Sequence, residues 1–381
     1  VLTTELQSKK ISSNLKNLDV LRGILALYVL LGHCRWMLWA GNNEWTKHEH
    51  PWQSDLLATA SASLRYGHEA VMIFFVLSGF FIHLRVAKQL AQNSEFKFEF
   101  FRFFQRRFHR LIPPYIFALA LTLIIDSIGS FLYPTLYNAA TGDALLDLNF
   151  IKKDFSLTSV IPALFLLPSS LGKDFGTNGP FWSLSYEFVY YLLYPLWLIT
   201  RRWGALPAYC SGIVVAVLSN YFLEPSFIRS VLTHYPIWLS GAIIAEIVVK
   251  KAMPKGIVFL SIFFLLLSFI SINTTLPVLP KLLVYALFGS SVVLLFLNYP
   301  FSRYQNHIYR FFEFLGLESY TIYICHFPIV AFISAWRIEV FGATPMAGWL
   351  AIGVAVLTLL LCHFCFLLCE RNFLHSRLKI E

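Results

Sequence analysis

Residues 18–40 read LDVLRGILALYVLLGHCRWMLWA, a run long and apolar enough to cross a bilayer. It nevertheless carries Asp19, Arg22 and His33. Ionisable groups inside a span are costly, so each calls for a partner, a watery path or a chemical role. Eleven positions separate Arg22 from His33. On a helix that is three turns with about 20° left over, so both side chains project from one face, about 16 Å apart along the axis. Asp19, three positions before Arg22, is spaced to pair with it. Arg22 lies near the end of the run, where a guanidinium can also snorkel to the headgroups. His33 lies deeper, where the alternatives are a core hydrogen bond or catalysis.

Working outward, the 381 residues are 57% hydrophobic and only 13% charged, with a mean hydropathy of +0.63. Soluble domains are nearer a quarter charged, so the fold class is all-α, a polytopic membrane protein. Ten spans are expected: 18–40, 68–86, from 111, 181–200, 204–223, 231–249, 256–273, 281–299, 314–335 and 346–369. Pro113 and Pro114 then fall in the first turn of the third span, where proline is tolerated. The apolar piece 157–168 is too short to cross and reads as interfacial or re-entrant. Ten spans put both termini on one side. The N-terminal tail, the C-terminal tail and the alternate connections hold 20 of the 30 Lys and Arg, and the opposite connections hold 8. That asymmetry predicts cytoplasmic termini in a plasma (inner) membrane. The resulting organisation is a tail at 1–17, a membrane domain at 18–370 and a basic tail at 371–381. The formal charge of +9 is thereby topogenic, which argues against a nucleic-acid partner; membrane lipids are the expected neighbours. The polar first residues do not read as a cleavable leader. The six cysteines all lie in or beside apolar runs, which predicts no disulfide framework. Cys362, Cys365 and Cys369 share a helical face, read as small buried residues in preference to metal ligands.

Three further groups carry candidate chemistry. Arg102, Arg106, Arg107 and Arg110 crowd the cytoplasmic mouth of the third span. Arg107 and Arg110 share a helix face and could hold phosphates bidentately, or could anchor to lipid phosphate. Glu187, in FWSLSYE, could orient His33, bind a hydroxylated substrate, or sit at a helix N-terminus favoured by the dipole. His326, in SYTIYICHFP with Ser319 and Tyr320, is a second intramembrane histidine, fit for a helix–helix hydrogen bond or for the site.

The ordered segments LDVLRGILALYVLLGH, FFVLSGFFI, RRFHRLIPPY, FWSLSYEFVYYLLYP and ESYTIYICHFPI resemble the membrane-bound acyltransferase family 3, from about residue 15 to 375. The arginine, ten residues, histidine pattern is met by Arg22 and His33, and arginine-x-x-arginine by Arg107 and Arg110. Ala70-Val71-Met72 departs from the family's usual glycine, valine and polar residue there. The resemblance implies an integral membrane O-acyltransferase with an acyl-CoA donor, most often acetyl-CoA, and a carbohydrate or lipid-linked glycan acceptor of the cell envelope across the membrane. It implies donor phosphates at Arg107 and Arg110 with help from Arg102, pantetheine passing Arg22, and no metal. His33 would be general base or acyl carrier, Glu187 would serve the acceptor, and Arg22 or His326 would stabilise the oxyanion. A proton-coupled or anion transporter is the rival class, and a succinyltransferase of glucans the rival within the family.

Overall fold

The computed structural model describes residues 2–39, 61–92, 98–143, 146–147, 154–250, 256–298, 306–342 and 348–375. Most of the polar loop at 41–67 and the end of the basic tail lie outside these residues. Every regular element among the described residues is a helix. The principal ones are α1 (Leu2–Leu38), α2 (Gly67–Gln92), α3 (Phe100–Leu132), α4 (Pro134–Tyr137), α5 (Leu157–Leu164), α6 (Trp182–Thr200), α7 (Ala205–Phe222), α8 (Phe227–Val249), α9 (Ile257–Ile272), α10 (Val278–Asn298), α11 (His307–Phe341) and α12 (Trp349–Cys369). Seven of these, α2, α3, α7, α8, α10, α11 and α12, are long and apolar enough to cross a membrane. Leucine, isoleucine and phenylalanine stay exposed along α7, α9 and α12, as expected where hydrocarbon replaces water.

Two helices begin earlier than their apolar runs. α1 starts at Leu2, so the stretch read as a tail is helical. α3 starts at Phe100, because FRFFQRRF buries Phe103 and Phe104 while Arg102 stays out. Pro113 and Pro114 are therefore interior to α3 rather than in its first turn. Lacking N–H groups, they remove the helical donors for the carbonyls of His109 and Arg110.

The chain divides into two compact units. One comprises Val1–Leu25, His68–Arg102 and Tyr186–Leu317. In it α7 packs on α8, α8 on α10, and α9 on α10. The middle of α1 lies against the end of α10 and the start of α11: the Asn17 amide donates to the Phe296 carbonyl of α10 (3.0 Å) and Tyr309 of α11 donates to Asn17 (3.0 Å). A Cβ on Gly316 would stand 1.9 Å from the Asp19 carbonyl oxygen, and one on Gly23 would stand 2.1 Å from that of Phe312. Backbones this close require glycine, the small-residue contact by which membrane helices associate. We expect Gly316→Val to abolish recovery of monodisperse protein after detergent extraction, whereas Gly353→Val, at a position with open space around it, leaves the yield unchanged in the same gel-filtration assay.

The same unit buries a charged network. His83 bonds the Tyr194 hydroxyl through Nδ1 (2.8 Å) and Glu246 through Nε2 (2.9 Å). Arg201 meets both oxygens of Glu246 at 2.6 and 2.7 Å, the bidentate geometry that favours arginine over lysine.

The other unit comprises Ala26–Gly67, Phe103–Ser185 and Glu318–Glu381. Its axis is the end of α1 running parallel to α11. Leu30, Cys34, Met37 and Leu38 interdigitate with Phe327, Val330, Ala331 and Ala335, with Leu136 and Tyr137 of α4 and Val354 and Ala355 of α12 completing the core. The Ser334 hydroxyl donates to the Met37 carbonyl at 2.8 Å. α5 is eight residues long, too short to cross, as its sequence suggests.

Candidate active site

The central contact lies inside the second unit. His33 Nδ1 of α1 stands 2.7 Å from His326 Nε2 of α11. The ring planes are 7° apart with centroids at 5.0 Å, so the two imidazoles lie nearly in one plane and meet edge to edge through that bond. His326 Nδ1 lies 2.8 Å from the Ile322 carbonyl one turn back. A carbonyl only accepts, so Nδ1 of His326 carries a hydrogen and its Nε2, in the neutral ring, accepts. His33 must then donate from Nδ1, which leaves the lone pair on His33 Nε2. The chain carbonyl, His326, His33 thus fixes one tautomer, as a carboxylate or carbonyl does behind many catalytic histidines. Phe327 and Trp36 wall the His33 ring edge-on at 5.1 and 6.4 Å. His326 is 1% exposed, whereas His33 keeps accessible surface, the order required if His33 meets the substrate and His326 stands behind it.

The segment preceding α6 is fastened beside this pair. Thr177 donates to Asp126 of α3 from its backbone N–H (2.7 Å) and hydroxyl (2.9 Å). The Asn178 amide donates to Thr122 (3.0 Å) and to the Ile324 carbonyl (2.9 Å), two residues before His326. Gly176 has φ +60°, and a Cβ there would stand 2.4 Å from an Asp126 carboxylate oxygen. Tyr323, whose ring lies 6.2 Å from that of His326, bonds Ser183 (2.8 Å) and donates to the Pro180 carbonyl (3.2 Å). Irregular backbone at membrane depth persists only when its polar groups are satisfied within the protein, and these bonds satisfy this stretch. Outside the spans, the Lys173 ammonium at 2.8 Å and two bonds from Ser156 hold the Asp154 carboxyl well below its ordinary range.

The remaining sequence-predicted residues fall as follows. In the first unit, Arg22 Nη1 pairs with Asp19 at 3.5 Å, the spacing anticipated. Glu187 Oε1 accepts from Ser78 (2.6 Å) and from Tyr191, and Ser78 in turn accepts from the Trp238 indole (3.2 Å). Both hydroxyl bonds land on one oxygen of the carboxylate, so among the described residues Oε2 is the oxygen left for a further donor. Arg102 pairs with Glu99 at 2.8 Å and is 67% exposed in its side chain. In the second unit, the Arg107 guanidinium lies 5.6 Å over the Phe103 ring. Arg110 Nε is buried with no hydrogen-bond partner among the described residues. Tyr320 donates to the Leu111 carbonyl at 3.2 Å. The cysteines are free, five of them buried, with Cys210 exposed.

A family model described as an acyltransferase domain matches residues 15–366. The chain belongs to this acyltransferase 3 family. It is 26% identical over 293 residues to the peptidoglycan O-acetyltransferase OatA of Listeria monocytogenes, an alignment covering 69% of this chain and 45% of that protein. It is 30% identical over 177 residues to the acyltransferase MdmB of Streptomyces mycarofaciens, covering 44% of this chain and 38% of that one. It is 31% identical over 174 residues to an uncharacterized protein of Haemophilus influenzae, covering 43% and 64%. The alignments thus cover less than two thirds of each relative's length. No solved structure matches. The acyltransferase 3 match contains every candidate named above, from Arg22 to His326.

Several polar groups escaped the sequence reading: the buried Asp126, Thr177 and Asn178 beside the histidine pair, and in the first unit the buried His83 and Glu246 with the half-buried Arg201. Asp126, His83 and Glu246 each interrupt an apolar run, the same signal that singles out His33.

Proposed function

We propose that the protein is an integral membrane O-acyltransferase of about ten spans with cytoplasmic termini. It would move an acyl group, most simply acetyl, from acyl-CoA to a hydroxyl of a carbohydrate acceptor of the cell envelope. The observation that carries this reading is the fixed tautomer of the histidine pair, which leaves a base at His33 Nε2. Placed against an acceptor hydroxyl, Nε2 takes its proton as the oxygen attacks the thioester carbon. The resulting imidazolium protonates the leaving thiolate, and His326 accepts the Nδ1 hydrogen bond throughout. The same lone pair would serve an acyl-His33 intermediate. Arg22, on the same helix, serves the donor arm, and Glu187 offers Oε2 to an acceptor hydroxyl. The peptidoglycan named for the Listeria relative makes a glycan the acceptor class to try first.

The test is coenzyme A release from acetyl-CoA by purified protein. Slow release that disappears in His33→Ala is the expected result. Neither release nor saturable acetyl-CoA binding in the wild-type protein would overturn the proposal.

Arg110 is assigned to the donor phosphates. A buried guanidinium nitrogen with no partner among the described residues suits an anion, and a charged hydrogen bond of about 1.5–3 kcal/mol corresponds to roughly a tenfold to hundredfold effect. Arg110→Ala should raise the KM for acetyl-CoA by about tenfold with kcat restored at saturating donor, and Arg110→Lys should recover only part because the ammonium lacks the planar fork. A fall in kcat that excess donor does not rescue removes Arg110 from this role.

A further inference from the structure

At the ends where α2, α6, α8 and α10 begin, the first unit gathers a second set of groups that the transfer chemistry does not use. His68 stands on the second residue of α2, Tyr186 on the second turn of α6, His234 on the third turn of α8 and Tyr285 on the third turn of α10. The His68 ring lies 6.5 Å from that of His234 and 5.6 Å from that of Tyr285, and Tyr186 lies 5.7 Å from His234. All three pairs meet edge to face. Two charges flank the ring set: Glu69, which accepts from the Tyr285 hydroxyl at 3.4 Å, and Lys281, whose ammonium lies 5.7 Å from the Tyr285 ring centre.

An aromatic belt at a bilayer surface turns its rings outward to lipid headgroups. Here Tyr186 and Tyr285 are buried within the unit, His234 is half-buried and His68 is exposed, so the set grades from solvent inward among four helices. His234 Nδ1 donates to the Ser230 carbonyl at 2.8 Å, which directs its Nε2 lone pair away from its own helix. The cluster therefore presents the exposed His68 ring and an acceptor imidazole beside two buried tyrosine rings, together with a carboxylate and an ammonium. Apolar faces with a few placed polar groups of both signs match a ligand that is amphipathic and carries no net charge. A pyranose ring is such a ligand, with C–H faces and a hydroxyl rim. Lys281 and Glu69 oppose one another, so the site does not select a polyanion.

We propose that this cluster is a saccharide-binding subsite that holds a neutral sugar unit of the acceptor. The proposal rests on the acyltransferase reading for its biological meaning, and its test is independent of that reading because no acyl donor is used. Purified full-length protein in nanodiscs is titrated with chitotetraose and with maltotetraose by isothermal titration calorimetry. One of the two should bind saturably. His68→Ala, at an exposed position that a folded protein tolerates, and His234→Gln should each weaken that binding by about tenfold, close to 1.4 kcal/mol. Tyr285→Phe, which keeps the ring, should weaken it less than either. Binding by neither sugar overturns the subsite, and so does binding that His68→Ala and His234→Gln both leave unchanged. Coenzyme A release measured separately on the same preparation tells whether the acyltransferase reading stands, whichever way the titration falls.

Discussion

His33→Ala should lower acyl transfer by about 10³-fold or more, within the range of about 10²–10⁴ that a positioned general base contributes, while the protein remains folded. The argument for so large an effect is the tautomer chain. In the variant His326 Nδ1 stays committed to the Ile322 carbonyl and its Nε2 lone pair is released, but that atom lies 2.7 Å behind the place of His33 Nδ1, on the far side of the lost ring from the hydroxyl that His33 Nε2 addresses, so it does not replace the base. His326 is accordingly a positioning residue, and its variants separate that role from simple packing. His326→Ala removes the acceptor for His33 Nδ1–H, frees the ring to turn, and should reduce kcat by about 10²-fold at unchanged donor KM. His326→Gln can present an amide oxygen to the same hydrogen and should recover part of the loss. Steady-state coenzyme A release under saturating donor reads both. Equal loss in the alanine and glutamine variants, with KM rising in each, would assign His326 to structure and leave His33 oriented by its aromatic walls.

The candidate residues were legible in the sequence, and the reason is energetic. Hydrocarbon penalises every ionisable side chain, so His33, Arg22, Glu187 and His326 stand out against the apolar runs that hold them. Helical periodicity also anticipated the Asp19–Arg22 pair. What the sequence could not deliver was pairing at a distance. His33 and His326 are 293 positions apart, and no spacing rule relates two helices that far along the chain. For the same reason Glu187 offered three roles on paper, and its Ser78 and Tyr191 partners emerged only with the packing of α2 and α6. Helix starts shifted where amphipathic segments extend an apolar core: FRFFQRRF adds turns to α3 because its aromatic residues find cover. The tyrosines and glutamate of α6 lower its hydropathy, so a helix that the sequence reads as a span does not qualify on apolarity alone. Asp126, His83 and Glu246 carried the same signal as His33. Their partners, a loop threonine in one case and an arginine at a helix end in the other, sit outside any local motif.

Glu246 is where the largest change in stability is expected. Its carboxylate is 5% exposed and receives His83, both forks of Arg201 and, at 3.4 Å, Lys250. Glu246→Ala leaves a guanidinium and an imidazole facing a cavity without their acceptor. Removing one member of a buried charged set costs about 3–5 kcal/mol, because the partners lose the compensation for their own desolvation. Arg201 retains 17% exposure in its side chain, and water reaching it moderates the loss toward the lower figure. Glu246→Gln keeps one oxygen for Arg201 and should cost about half as much in the same comparison. The triple variant His83→Leu, Arg201→Met, Glu246→Met removes every member at once and should lie within about 1–2 kcal/mol of the wild type, since no uncompensated group remains. Thermal unfolding in a fixed detergent, followed by tryptophan fluorescence, reads the change; Trp197, whose ring packs 5.1 Å from His83, is one of the ten tryptophans that contribute. If Glu246→Ala and the triple variant unfold at the same temperature, the network acts through packing alone, and the charges add nothing that an apolar core would not.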